Sequence, residues 1–243
     1  MFIGFGTALN IITILFGSAM GVLIGNKLRE STRSLMMDVL GAVTLISAAA
    51  SVFAMWDESL VMSTPKGAPL LIVLAALLVG GGVGAFFNIE SRLENLGVYL
   101  KEKLDKDGKS PFVEGFVTAS LIFVIGPLAI LGSISDGMAT GIEQLTLKSI
   151  LDFFAAMAFA AALGWGVAAS ALPVGIYQFF WTGVGLLVGQ VLTDYQISAM
   201  TAVGGVLLFG IALKLLKIKE IAIGNLLPSL ALAPLLALIA NML

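Results

Sequence analysis

Residues 6–26 read GTALNIITILFGSAMGVLIGN, twenty-one residues without a charged side chain. A helix needs roughly 20 apolar residues to cross about 30 Å of hydrocarbon, and this run supplies them. Working outward, comparable runs cover 35–55, 69–88, 113–133, 150–171, 174–192, 198–216 and 221–241. They are continuous. A barrel strand would alternate every second residue over about ten positions. The sequence therefore specifies an all-α, polytopic transmembrane helical bundle of about seven or eight spans. Hydrophobic residues make up 59% of the chain and charged residues 12%, against roughly 25% charged in a soluble domain. With a mean hydropathy of +1.06, we expect a single transmembrane domain over 1–243. The first run lacks the positive leader of a signal peptide and is read as a retained helix. Only Ala171, Leu172 and Pro173 separate the fifth and sixth runs. A tight hairpin and a span followed by a re-entrant segment both fit.

Orientation follows from the basic residues. Lys27, Arg29 and Arg33 follow span one. Arg92, Lys101, Lys103, Lys106 and Lys109 follow span three, and Lys214, Lys217 and Lys219 follow span seven. These are eleven of the thirteen; Lys66 and Lys148 fall opposite. Alternating spans put all three basic connections in the cytoplasm and both termini outside. Within residues 90–110, Leu93, Leu96 and Leu100 recur at helical spacing, as in an amphipathic interfacial helix.

Glycine repeats at four-residue spacing in Gly17, Gly21 and Gly25, in Gly80 and Gly84 followed by Asn88, and in Gly185 and Gly189. Small residues let membrane helices approach closely, so tight packing is the plain reading. The same spacing in 14–30 and 180–196, on spans of opposite direction, also fits an inverted repeat with halves 1–110 and 111–243. Chance similarity of glycine-rich helices is the competing explanation.

Polar residues inside the apolar runs are the candidates for function. Gly126-Pro127 interrupts the fourth run, VTASLIFVIGPLAILGSISDG (117–137). Proline removes a backbone donor and clashes with the preceding turn. Ser133, Ser135 and Asp136 follow the break. Hydroxyls, carbonyls and a carboxylate are hard donors suited to H⁺ or Na⁺. Asp152 falls near the start of the fifth run with Lys148 four residues before it, close enough on a helix to pair, and Ser149 lies beside them. An acid inside a span marks a functional site by default; an interfacial salt bridge is the alternative. Asn10 shares a stripe with Gly6, Gly17 and Gly21, where a buried amide needs a partner. The candidate site is thus Asn10, Gly126, Pro127, Ser133, Ser135, Asp136, Ser149 and Asp152. Asp38, Glu114 and Asp194 are read as interfacial. Asn225, Pro228 and Pro234 mark the eighth span as irregular.

Cysteine and histidine are absent. That removes disulfides, thiol chemistry and thiolate or imidazole metal ligation, and makes hydrolase chemistry improbable. No phosphate-binding loop is present. A net charge of −2 offers nothing to nucleic acid. No enzyme activity, cofactor or resident metal is expected.

Four stretches carry a family resemblance: GTALNIITILFGSAMGVLIGNKL, FVTASLIFVIGPLAILGSISDG, LKSILDFFAAMAF and TAVGGVLLFGIALKLLKIKEIAIGNLLPSL. Together they resemble the YqgA/YdfK-like family of uncharacterised bacterial polytopic membrane proteins. The resemblance implies a multi-pass protein of the bacterial cytoplasmic membrane, sometimes suspected of transport, and supplies no substrate. The residues and the resemblance together point to a secondary transporter or ion-conducting protein for a small solute or cation. The alternative is a non-transporting scaffold or accessory subunit whose glycine stripes dock a partner. Homo-oligomerisation is expected from the same glycine-rich faces.

Overall fold

The computed structural model describes residues 2–104, 111–189 and 192–243. Every regular element among them is helical: α1 (Phe5–Gly25), α2 (Glu30–Val52), a 3₁₀ turn (Phe53–Trp56), α3 (Glu58–Ser63), α4 (Ala68–Phe86), α5 (Ile89–Leu104), α6 (Phe112–Val124), α7 (Pro127–Gly137), α8 (Glu143–Leu163), α9 (Gly166–Ala169), α10 (Ala171–Val188), α11 (Asp194–Leu215), a second 3₁₀ turn (Ile223–Leu226) and α12 (Pro228–Asn241). Seven helical stretches are long and apolar enough to cross a membrane, and α6 with α7 qualifies as an eighth, bent by 64°. The bundle is the polytopic helical fold expected, broken where Gly126-Pro127 predicts. The break needs glycine for its backbone: Gly126 has φ +132° with open space where a Cβ would be. The amphipathic helix forms as α5. The end of its expected segment, 105–110, lies outside the described residues, as do Gln190 and Val191 at the end of the sixth run.

The chain forms two compact units. The first comprises Met1–Leu40, Leu93–Val124 and Leu128–Val191; the second comprises Gly41–Arg92, Ile125–Pro127 and Leu192–Leu243.

In the first unit α1 lies along α8, and three glycines set the separation. A Cβ at Gly17, Gly21 or Gly25 would overlap the carbonyl oxygens of Phe153, Met157 and Ala161 respectively. The numbering climbs together on both helices, so they run parallel. Close backbone approach is what small residues contribute in lipid, where water drives no association between helices. The bent pair runs the length of α8: the Phe112 carbonyl meets Gly166 just past its end, and Gly132 packs against Leu145 near its start. The pair thus lies antiparallel to α8 along its length, and counted as one span it brings the stretches able to cross a membrane to eight among the described residues.

The turn between the fifth and sixth spans corrects the expected boundary. It lies at Gly164–Ser170, seven residues earlier than Ala171–Pro173 suggests. Gly164, at φ 78°, ends α8. Pro173 falls in the first turn of α10, where its missing N–H has no helical acceptor to lose. Accordingly α8 starts at Glu143, and Asp152 stands nine residues inside it. At 1.5 Å per residue that is about 14 Å along a helix of about 32 Å, near mid-span.

In the second unit, Gly80 and Gly84 on α4 meet the backbones of Ser229 and Asn225 in the same way. The Glu90 backbone N–H donates to Asn225 Oδ1, and Gly224 N–H donates to Glu90 Oε2. The irregular start of the eighth span therefore packs on the start of α5. Pro234 lies inside α12, and its carbonyl accepts from Gln196 Nε2 at 3.1 Å.

A buried ion pair against the first helix

The first unit gathers polar side chains along one face of α1, starting at its N-terminus. That end has no acidic residue in its first turn and no capping side chain of its own. Asp136 serves instead. Its Oδ1 accepts from Gly4 N–H at 3.2 Å and its Oδ2 from Gly6 N–H at 3.0 Å. A carboxylate here meets two unpaired donors and the positive end of the helix dipole. One step down, the hydroxyls of Thr7 and Thr182 meet at 3.3 Å.

Next comes Asn10, fully buried, whose Nδ2 donates to Asp152 Oδ2 at 3.0 Å. Lys148 Nζ donates to the same oxygen at 2.5 Å. Both ends of this ion pair are about nine-tenths buried. The ammonium also stands 5.8 Å from the centroid of the Phe123 ring on α6, within cation–π range. Four residues apart on α8, Lys148 and Asp152 share a face, and both side chains are buried inside the protein. Neutralising each other answers the cost of burying either charge alone.

Several polar atoms of this unit are buried with no protein hydrogen-bond partner: Asn10 Oδ1, Ser149 Oγ, Thr118 Oγ1, and both Oε1 and Nε2 of Gln178. Leaving a buried donor or acceptor unmet costs about 1–3 kcal/mol.

The structure brings Asn10 and Asp152 together, keeps Ser149 buried on the same helix as Asp152, and sets Asp136 at the start of α1. Ser133 is buried and donates to the Ala129 carbonyl within its own helix. Ser135 is half-buried, and its carbonyl accepts from Thr140. Gly126 and Pro127 group with the second unit. Asp38, Glu114 and Asp194 are exposed, as expected of interfacial acids. Lys148 belongs to the centre as fully as Asp152 does. Gln178 escapes a sequence reading, although it is the single amide in the apolar run of α10, three residues from Gly175 and four from Thr182. A cavity of about 710 Å³ in this unit is lined by apolar residues such as Ile11, Leu172 and Phe179.

A multi-pass helical membrane protein with a buried Asp–Lys pair inside one of its candidate spans is the class that fold and site define. The chain belongs to the family described as Protein of unknown function (DUF554), which it matches over residues 5–238. It is 30% identical over 235 residues to the Uncharacterized membrane protein YdfK of Bacillus subtilis (strain 168), covering 95% of this chain and 94% of that one. It is 28% identical over 232 residues to the Uncharacterized protein YqgA of Escherichia coli (strain K12), covering 94% of each. No solved structure matches.

Proposed function

We propose that the chain is a secondary transporter or ion-conducting protein for a small solute or cation, and that Asp152, Lys148, Asn10 and Ser149 form its ion-binding centre. The observation that carries this reading is the ion pair near mid-span. Ionisable groups at that depth are costly, and they recur where ions or protons pass. Asp152 is the group that would take up H⁺ or Na⁺, with Lys148 its resting counter-charge. The glycines on which a docking surface would rest are largely engaged within the chain: Gly17, Gly21 and Gly25 by α8, and Gly80 and Gly84 by Ser229 and Asn225. That favours transport over a scaffold. We place the protein in the bacterial cytoplasmic membrane, termini outside, on the distribution of Lys and Arg, and assign it no catalytic group or cofactor.

The test is flux in proteoliposomes, driven by potential or gradient, for Na⁺, K⁺, H⁺ and Cl⁻. A cation flux lost in Asp152→Asn is expected. Flux unchanged in correctly folded Asp152→Asn would rule this centre out.

A further inference from the structure

We infer that the ion pair is reached from one side only, by a small monovalent cation that enters at the N-terminal end of α1 and exchanges with Lys148 on Asp152. This rests on the reading above and adds the ligand's charge and its route.

The entrance is a polar pocket of about 290 Å³ at that end, lined by Phe2, Ile3, Thr140 and Ile142 together with two acids, Asp136 and Glu143. Its charge attracts cations and repels anions. Inward from Asp136, the buried face of α1 offers a polar group every three or four residues: Thr7 with Thr182, then Asn10 with Asp152. Successive steps are about 5 Å along the axis.

Gln178 supplies the independent observation. It is fully buried, and neither polar atom of its side chain has a protein partner. Its stripe on α10 touches α1 on either side of Asn10, through Gly175 against Ile11 and Thr182 against Thr7. Asn10 Oδ1 and Ser149 Oγ, on α1 and α8 of the same unit, are likewise buried without a protein partner. Amide and hydroxyl oxygens beside a carboxylate are hard donors, the set that holds a dehydrated alkali cation.

Charge accounting selects the occupant. With Lys148 in place the centre is neutral. A monovalent cation replaces the ammonium on Asp152 charge for charge, and the ammonium, already 5.8 Å from the Phe123 ring centroid, keeps that cation–π contact as it withdraws. Beyond Asn10 the route closes. Ile14 is fully buried, and the backbones of α1 and α8 touch at Gly17, Gly21 and Gly25. Ser18 is the one polar side chain on that sealed face.

The chain has no cysteine and no histidine, so single cysteines can be probed with Ag⁺, a monovalent cation that binds thiolates. The full-length protein in oriented vesicles would carry Thr140→Cys at the pocket mouth, Ser149→Cys at the centre or Ser18→Cys beyond the seal. Glutathione held in the opposite compartment would scavenge leaked metal. Thr182→Cys replaces Ser149→Cys if the latter fails to fold. Ag⁺ is expected to block Thr140→Cys and Ser149→Cys from the face bearing the N-terminus, to be slowed at Ser149→Cys by excess Na⁺ or K⁺, and to spare Ser18→Cys from either face. A reactive Thr140→Cys beside an unreactive Ser149→Cys, or entry from the other face, overturns the route. Equal rates with and without Na⁺ and K⁺ overturn the cation assignment. Flux lost in Asp152→Asn beside an unreactive Ser149→Cys would refute this route and leave the transport reading standing. A reactive Ser149→Cys beside flux indifferent to Asp152→Asn would do the reverse.

Discussion

Asp152 and Lys148 hold each other in a place where neither could stay alone. Removing one partner of a buried pair strands the other charge, at a cost of about 3–5 kcal/mol, whereas replacing both with apolar residues of similar size is often neutral. Lys148→Met and Asp152→Leu should each lower thermal stability in detergent, and the double variant should recover most of the loss. A double variant no more stable than the worse single would show that the pair does not stand or fall together. Asp136 acts differently, because its oxygens are committed to Gly4 and Gly6. Asp136→Ala removes a cap, worth about 0.5–2 kcal/mol. The expected result is a modest fall in melting temperature, with faster amide exchange confined to the start of α1. Sequence alone exposed these two acids, since a carboxylate in an apolar run stands out. It did not place them. Glu143, Gln144 and Thr146 make the first turn of α8 look like a loop, so Asp152 reads as interfacial until the helix start is known. Gln178 shows the complementary blindness: nothing in the sequence tells a buried amide without a partner from one that has found it.

At the scale of elements, four-residue glycine spacing is a statement about distance between helices. Gly21 and Gly82 are both helical, yet their surroundings are opposite: a Cβ at Gly21 would overlap the Met157 carbonyl, while one at Gly82 has nothing within 4 Å. Gly21→Leu should therefore force α1 from α8 and greatly reduce the folded yield, and Gly82→Ala should be tolerated. Equal yields would mean that α1 does not need its contact with α8. Gly126 is a third kind, open in space but restricted in backbone, so Gly126→Ala should cost about 1–3 kcal/mol through strain alone. The helices themselves were largely legible, because hydrocarbon thickness sets their length and continuous apolar runs report it. Their ends were not. Pro173 looks like a breaker but is harmless in a first turn, and Gly164 ends α8 through a positive φ that no hydropathy run records.

For the whole molecule, direction is the property that packing constrains most. Since α1 and α8 run parallel, the number of crossings between them must be odd. Where α2 with its extension and α4 each cross, the bent α6–α7 pair is the third crossing. A re-entrant pair would instead leave α8 antiparallel to α1, against the matched register of Gly17, Gly21 and Gly25 with Phe153, Met157 and Ala161. Eight crossings, as proposed, would put both termini on one face and the Gly164–Ser170 turn on the other, the same face as Lys27. Arg33 then serves two ends at once: it marks the basic side, and its Nη2 donates to the Gly25 carbonyl at 2.7 Å, at the negative end of the α1 dipole. Epitope tags at each terminus and in the Gly164–Ser170 turn, scored by protease protection in oriented vesicles, check the count. The two terminal tags are expected to be cut from one face and the turn tag from the other. Terminal tags on opposite faces would require an odd number of crossings and return the bent pair to a re-entrant loop.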